Sequence, residues 1–112
     1  MTPRRGEVWL VDFGEPVGRE QAGVRPAVVV STDALNDGPA GVIFVVPVTS
    51  ARRDLPSHIE IEPGESGLDH ASYAKCEDVK SVSERRLIDR FGVVRPEALF
   101  DIGRVLRYLL EL

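Results

Sequence analysis

The chain has one cysteine, Cys76, among its 112 residues. A single thiol excludes an internal disulfide and a cysteine-based zinc site. Cys76 itself reads as a small buried hydrophobe rather than a nucleophile. Histidine is equally scarce. His58 and His70 stand apart from each other and from any cluster of metal ligands, so no metal site is expected. A Walker-type phosphate loop, a GxGxxG turn and a GxSxG elbow are all missing. These absences set aside redox, nucleotide-hydrolysing and metal-dependent enzymes, and no cofactor is expected. No apolar run approaches the roughly 18 residues that cross a bilayer. The opening "MTPRRGEV" has two arginines, but Glu7 and Asp12 interrupt any signal-peptide core. A cytoplasmic protein without a membrane partner is the resulting expectation. Repeats and low-complexity tracts are lacking too.

What is there suits a globular chain: 43% hydrophobic and 29% charged residues are enough for a core under a solvated surface. The length suits one domain, residues 1–112. Net charge is −4, which argues mildly against a nucleic-acid partner. The total hides the distribution. Arg4, Arg5, Arg19, Arg25, Arg52, Arg53, Lys75 and Lys80 all fall in the first eighty residues, near turns and strand ends. Both a local basic face and scattered solubilising charge fit that spread.

Strand signals dominate the first three quarters. "GEVWLVDF" is rich in Val, Trp and Phe. "PAVVVS" and "VIFVVPVTS" are continuous apolar runs, as where both faces of a strand are covered. "SHIEIE" alternates strictly, with Ile59 and Ile61 on one face and His58, Glu60 and Glu62 on the other. "ASYAKCEDVKSV" reads as a strand with a bend or bulge near "CED". Turn signals fall at Asn36-Asp37-Gly38-Pro39 and at Pro63 to Gly67. Short strands at this spacing predict a small antiparallel barrel. Two helices are expected to close the chain. Ser83 caps a short one over "ERRLIDR", with Gly92 past its end. Pro96 and Glu97 open the other, whose Leu99, Ile102, Val105, Leu106, Leu109 and Leu110 make one apolar stripe. The fold class is thus α+β, mainly β.

Two polar segments exceed what a minimal barrel needs: Gly14 to Val24, and Thr49 to Ser57 with Arg52 and Arg53. Their Arg, Glu, Thr and Ser residues suit a substrate that carries its own nucleophile. RNA is one, because its 2′-hydroxyl lies beside the phosphate it attacks. Arginine can fork two phosphate oxygens, and Thr or Ser can donate one more hydrogen bond. A carboxylate such as Glu20 can accept the 2′-hydroxyl proton. Each also has a plainer reading. Arg25 before Pro26 suits a solvated strand edge, Thr49 fits a strand by propensity, and Glu20 sits in a polar loop where carboxylates are ordinary. His58 fits a structural role on its strand, and Trp9 fits the core or an interface. Residue types and spacing alone lead as far as a small barrel with anion-binding groups.

The segments "RGEVWLVDFGEPVGREQAGVRPAVVVS", "VVPVTS", "PSHIEIE" and "AKCEDVKSVSERRL", taken together, resemble the MazF/PemK family of toxin endoribonucleases. The resemblance covers nearly the whole chain. It implies an SH3-like barrel with helical additions, a homodimer, and an antitoxin partner that inhibits by crossing the dimer and the RNA site. It also implies metal-independent cleavage of single-stranded RNA to a 2′,3′-cyclic phosphate and a 5′-hydroxyl. Carried over by residue, Arg25 and Thr49 match the family's catalytic arginine and threonine. Glu20 and Gln21 match loop positions that border the RNA channel, with Glu20 the candidate base. Ser50, Arg53 and Lys75, with Arg52, are candidate RNA contacts. Glu77 and Asp78 match an acidic-then-Gln pair that touches a base. Here the chain departs from the pattern, since Asp78 stands where glutamine is common. Ionised aspartate only accepts hydrogen bonds, so the base read there is expected to present an amino group. The same fold also carries toxins that bind DNA gyrase, and inactive relatives that keep only the antitoxin surface; both stay open as alternatives.

Overall fold

The computed structural model describes residues 2–15, 17–19 and 22–112. Among the described residues there are seven strands: β1 (Glu7–Asp12), β2 (Val24–Val29), β3 (Val42–Thr49), β4 (His58–Ile61), β5 (Ser72–Lys75), β6 (Lys80–Ser83) and β7 (Leu87–Val93). Helix α1 spans Asp33–Asp37 and α2 spans Pro96–Leu110. The strands form one antiparallel sheet in the order β4-β5-β3-β2-β1-β7, and β6 pairs with β3. Among the described residues β4 and β7 do not pair with each other, so the sheet stays open. The class is the expected mainly-β one.

Alternation along the strands separates two cores. Val8 of β1, Val28 of β2, Val46 and Val48 of β3, Ile61 of β4 and Ala74 of β5 face Ile102 and Val105 of α2. The odd-numbered residues Trp9, Val11, Ala27, Val29, Ile43 and Val45 face the other way and enclose a second cluster with Phe13 and Val82. Both faces of β2 and β3 are therefore covered, which is why their sequences read as unbroken apolar runs. β3 takes β6 along Val42–Val45 and β5 along Val48–Thr49. A one-turn 3₁₀ helix at Cys76–Asp78 makes the bend between β5 and β6.

Three expectations are corrected. "ERRLIDR" is not a helix. Ser83 does cap, its Oγ accepting from the Arg85 amide at 3.2 Å, but only one 3₁₀ turn follows, Glu84–Arg86. Leu87–Val93 then pairs with β1, whose outer edge needs a partner and outweighs local propensity. Gly92 serves close approach rather than a helix stop. A Cβ there would sit 2.1 Å from the Glu65 carbonyl oxygen, and one on Gly67, at φ +79°, 2.1 Å from that of Phe91. Next, the segment read as a turn at Asn36–Pro39 is partly α1. Thr32 caps it through a 3.2 Å bond from the Leu35 amide, and buried Asn36 exchanges hydrogen bonds with Ser31. Finally, the apolar stripe of α2 is shorter than expected. Leu99, Ile102, Val105 and Leu106 pack on the first core, whereas Leu109 and Leu110 stay exposed because the helix runs past the core it covers.

Candidate functional site

Arg25 lies near the start of β2, exposed beyond the buried Ala27, Val28 and Val29. Thr49 ends β3. The two strands pair Ala27↔Pro47, Val28↔Val46 and Val29↔Val45. Continued by two residues, that register sets Arg25 opposite Thr49. Directly opposed residues share a face, here the one away from α2. The side chains are prepared differently. Arg25 Nε donates to the Ala22 carbonyl at 3.3 Å, which leaves its terminal amino groups for an anion. Thr49 Oγ1 accepts from the Ala51 amide at 3.1 Å, so its own hydrogen is left to donate outward. Ser50 is exposed on the bend that follows.

The loop after β1 is fastened at its base. Phe13 N donates to Gly23 O at 2.9 Å, and Gly23 N to Gly14 O at 2.8 Å. Glu20 and Gln21, singled out by the sequence, lie outside the described residues.

A cavity of about 420 Å³ lies between the second polar loop and the β5 bend. It brings together Arg53, Lys75, Glu77 and Asp78, all expected from the sequence, and adds Arg19 and His58. Arg25, Thr49 and Ser50 are not among its lining residues. Three cations face two carboxylates here, and the carboxylates are already engaged. Lys75 Nζ is 2.9 Å from Asp78 Oδ2, a charge contact outside hydrogen-bond geometry. Glu77 Oε1 accepts from Ser57 Oγ at 2.8 Å, and Oε2 lies 2.9 Å from His58 Nε2. Burial alone would raise the Glu77 carboxyl; the bonds from His58, the backbone and Ser57 outweigh it and hold Glu77 below the ordinary carboxylate range. Glu77 is thus a fixed, ionised acceptor.

His58 is the residue that sequence reasoning placed least well. Its imidazole is only 2% exposed, and Nδ1 is buried without a hydrogen bond. Alternation with Glu60 and Glu62 gave its face correctly but not its burial, because the bend at Cys76–Asp78 folds over it. It lines the cavity and holds the Glu77 carboxylate through Nε2. Cys76 is fully buried, and burial together with the Glu77 charge pushes its thiol up to about 12. Such a thiol is inert. Trp9 is core, its Nε1 donating to Glu7 at 3.1 Å. The second loop also bears Asp54 in the left-handed region, φ +54°, bonded to Arg52 Nε at 2.8 Å.

Charge differs from cavity to cavity. A second cavity of about 420 Å³, lined by Glu60, Glu62, Glu65, Glu97 and Asp101 with Arg95, is acidic and unsuited to a phosphate backbone. Arg19, Arg53 and Lys75 gather at the other cavity, beside Glu77 and Asp78.

The fold is that of a small, mainly-β protein with a charged cavity beside the β5 bend. The chain belongs to the PemK-like, MazF-like toxins of type II toxin-antitoxin systems, whose family pattern matches residues 4–110. It is similar to the endoribonuclease MazF9 of Mycobacterium tuberculosis, with 36% identity over 97% of each chain. Its fold is similar to the crystal structure of MazF from Deinococcus radiodurans, with TM-score 0.88 and 26% identity over 100% of this chain and 99% of that one. It is likewise similar to a mycobacterial endoribonuclease in complex with its cognate antitoxin, with TM-score 0.81 and 26% identity over 98% and 96% of the two chains. Among the described residues no helix is long and apolar enough to cross a membrane.

Proposed function

We propose that this chain is a MazF-like endoribonuclease that cuts single-stranded RNA without a metal ion and is silenced by a cognate antitoxin. The 2′-hydroxyl oxygen attacks the adjacent phosphorus as its proton leaves to a base. The bond from phosphorus to the 5′-oxygen breaks, and that oxygen takes up a proton. The products are a 2′,3′-cyclic phosphate and a 5′-hydroxyl. Arg25 binds the phosphate and stabilises the extra negative charge of the pentacoordinate phosphorane. It is not the base, since guanidinium does not deprotonate in proteins. Thr49 donates its hydroxyl hydrogen to the same phosphate. Glu20 is the proposed base. Arg53, Lys75 and Ser50 hold the RNA backbone, Gln21 borders the channel, and Glu77 and Asp78 accept from a base that carries an amino group. The enzyme acts as a homodimer.

The β2–β3 register, which ends at Ala27↔Pro47 and leads toward Arg25 and Thr49, is the observation that supports this reading. Two donors on neighbouring rigid strands are preorganised for one phosphate, which is what a substrate with a built-in nucleophile requires. The test is incubation of the purified protein with a defined transcript in excess EDTA, with sequencing of the 5′-hydroxyl ends. Cleavage in EDTA at one short sequence, rich in A, C or G at the position next to Asp78, is expected. An intact transcript, or cleavage that EDTA abolishes, refutes the proposal.

A further inference from the structure

Tyr73 has no role in the site as described so far, yet its place in the sheet is unusual. It is the β5 residue directly opposite Thr49 of β3, and on its other side it is opposite Glu60 of β4. Thr49, Tyr73 and Glu60 form one row across the sheet, and the β2–β3 register, continued by two residues past Ala27↔Pro47, adds Arg25 to it. The row points away from the first core. Its neighbours Val48 and Ala74 are buried in that core, and the strand alternation turns Thr49 and Tyr73 outward. Tyr73 packs against neither core cluster. A large, half-buried aromatic ring that contributes to no core is a surface kept for something else.

The ring lines a cavity of about 330 Å³ together with Arg52, Asp54, Leu55, Pro56, His58 and Glu60. This cavity shares His58 and Leu55 with the cation-lined one. It is therefore the next compartment along the same surface. Its chemistry differs from its neighbour's. Tyr73, Leu55 and Pro56 form its apolar part, and Arg52, Asp54 and Glu60 are charged groups around them, two of them carboxylates that repel a phosphate. That is a stacking site for a nucleobase rather than a phosphate clamp.

We propose that Tyr73 is the floor of a second base subsite, holding a base that flanks the scissile phosphate by stacking. The inference rests on the endoribonuclease reading above. Opposed residues on neighbouring strands have Cβ atoms about 5 Å apart. A nucleotide whose phosphate sits at Arg25 and Thr49 thus has its own or its neighbour's base within reach of the ring. Stacking tolerates every base, so this subsite adds affinity with little sequence preference, while Glu77 and Asp78 read the base in the adjoining cavity.

The test uses a single-stranded oligonucleotide spanning a mapped cleavage site, with 2′-deoxyribose at the attacking nucleotide so that it binds without being cut. 2-Aminopurine replaces each flanking base in turn. The wild-type protein is expected to quench one of these positions, and Tyr73→Phe to quench it equally. Tyr73→Val and Tyr73→Leu, checked for folding by thermal melting, are expected to lose the quench and to bind roughly tenfold or more weakly. Their cleavage of the all-ribose oligonucleotide is expected to show a raised KM with kcat within about threefold. Equal binding by a folded Tyr73→Val protein, or no quench at any position in wild type, overturns the subsite while leaving the nuclease reading intact. Failure of the wild-type protein to cut or bind the oligonucleotide overturns both.

Discussion

Arg25 is exposed on β2 and belongs to neither core cluster, so replacing it separates chemistry from folding. Arg25→Ala is expected to lower kcat by about 10²–10³-fold, the usual cost of losing one preorganised donor to a developing charge. Its melting temperature is expected to stay within a few degrees of wild type. A folded Arg25→Ala protein with full ribonuclease activity would remove it from the mechanism. His58 makes the opposite case, because it is buried and acts through Glu77. His58→Ala is expected to free the Glu77 carboxylate and to broaden the base accepted at one position of the cleaved sequence. His58→Gln, which can still donate to Glu77, is expected to keep more of that preference. Cleavage-site sequencing of the two variants decides, and identical base preference in wild type and His58→Ala would show that the contact is without consequence.

At the scale of elements, the join between β1 and β7 holds the open end of the sheet. Its centre is Glu7, 8% exposed, whose carboxylate accepts from Arg90 Nε at 2.5 Å, Trp9 Nε1 at 3.1 Å and the Arg4 amide at 2.7 Å. Burial opposes ionisation, yet these donors and the Arg90 charge outweigh it and bring the Glu7 carboxyl below its ordinary 4.5. A lowered carboxyl stabilises the fold above the unfolded value and loses that contribution as pH falls through the folded one. Unfolding in urea between pH 7 and pH 3 is therefore expected to show stability falling below about pH 4.5, and less so in Glu7→Gln. Arg90→Ala removes the charged donor while the Trp9 and Arg4 donors remain, and is expected to cost about 2 kcal/mol. The passage of β7 across the Glu65–Ser66 turn depends on Gly92. Gly92→Ala drives a Cβ into backbone with no side chain to yield, and is expected to cost at least about 2 kcal/mol. A Gly92→Ala protein melting like wild type would mean that the turn moves aside freely.

The whole molecule is acidic, net charge −4, yet it collects Arg19, Arg53 and Lys75 around one cavity, with Arg52 at the next. Acidic residues line the other cavity described. This asymmetry resolves the tension between net charge and an RNA partner, because binding follows the local potential rather than the sum. Affinity for single-stranded RNA is expected to fall steeply with salt. In a plot of log affinity against log salt, Arg53→Gln is expected to flatten the slope by about 0.7, one phosphate contact on a single strand. An unchanged slope would place Arg53 off the RNA path.

Much of this was legible without coordinates. Apolar runs dictated strands covered on both faces, and strict alternation dictated β4. Pro96 followed by apolar residues at helical spacing dictated α2. These are local signals, set by the two sides of a pleat and the pitch of a helix. Arg25 and Thr49 were singled out only through resemblance, since a charged residue before Pro26 and a threonine at a strand end are ordinary in themselves. What no local signal held was pairing. The fate of "LIDRFGV" depended on the free edge of β1, so a segment with a good helix cap became a strand. His58 entered the site because the β5 bend folds over it and ties it to Glu77, nineteen residues away. Tyr73 came to lie opposite Thr49 because β5 pairs with the end of β3. Sequence decided which face of each element is apolar; only tertiary structure decided which faces meet, because strand partners are selected by edges and closures that lie far apart along the chain.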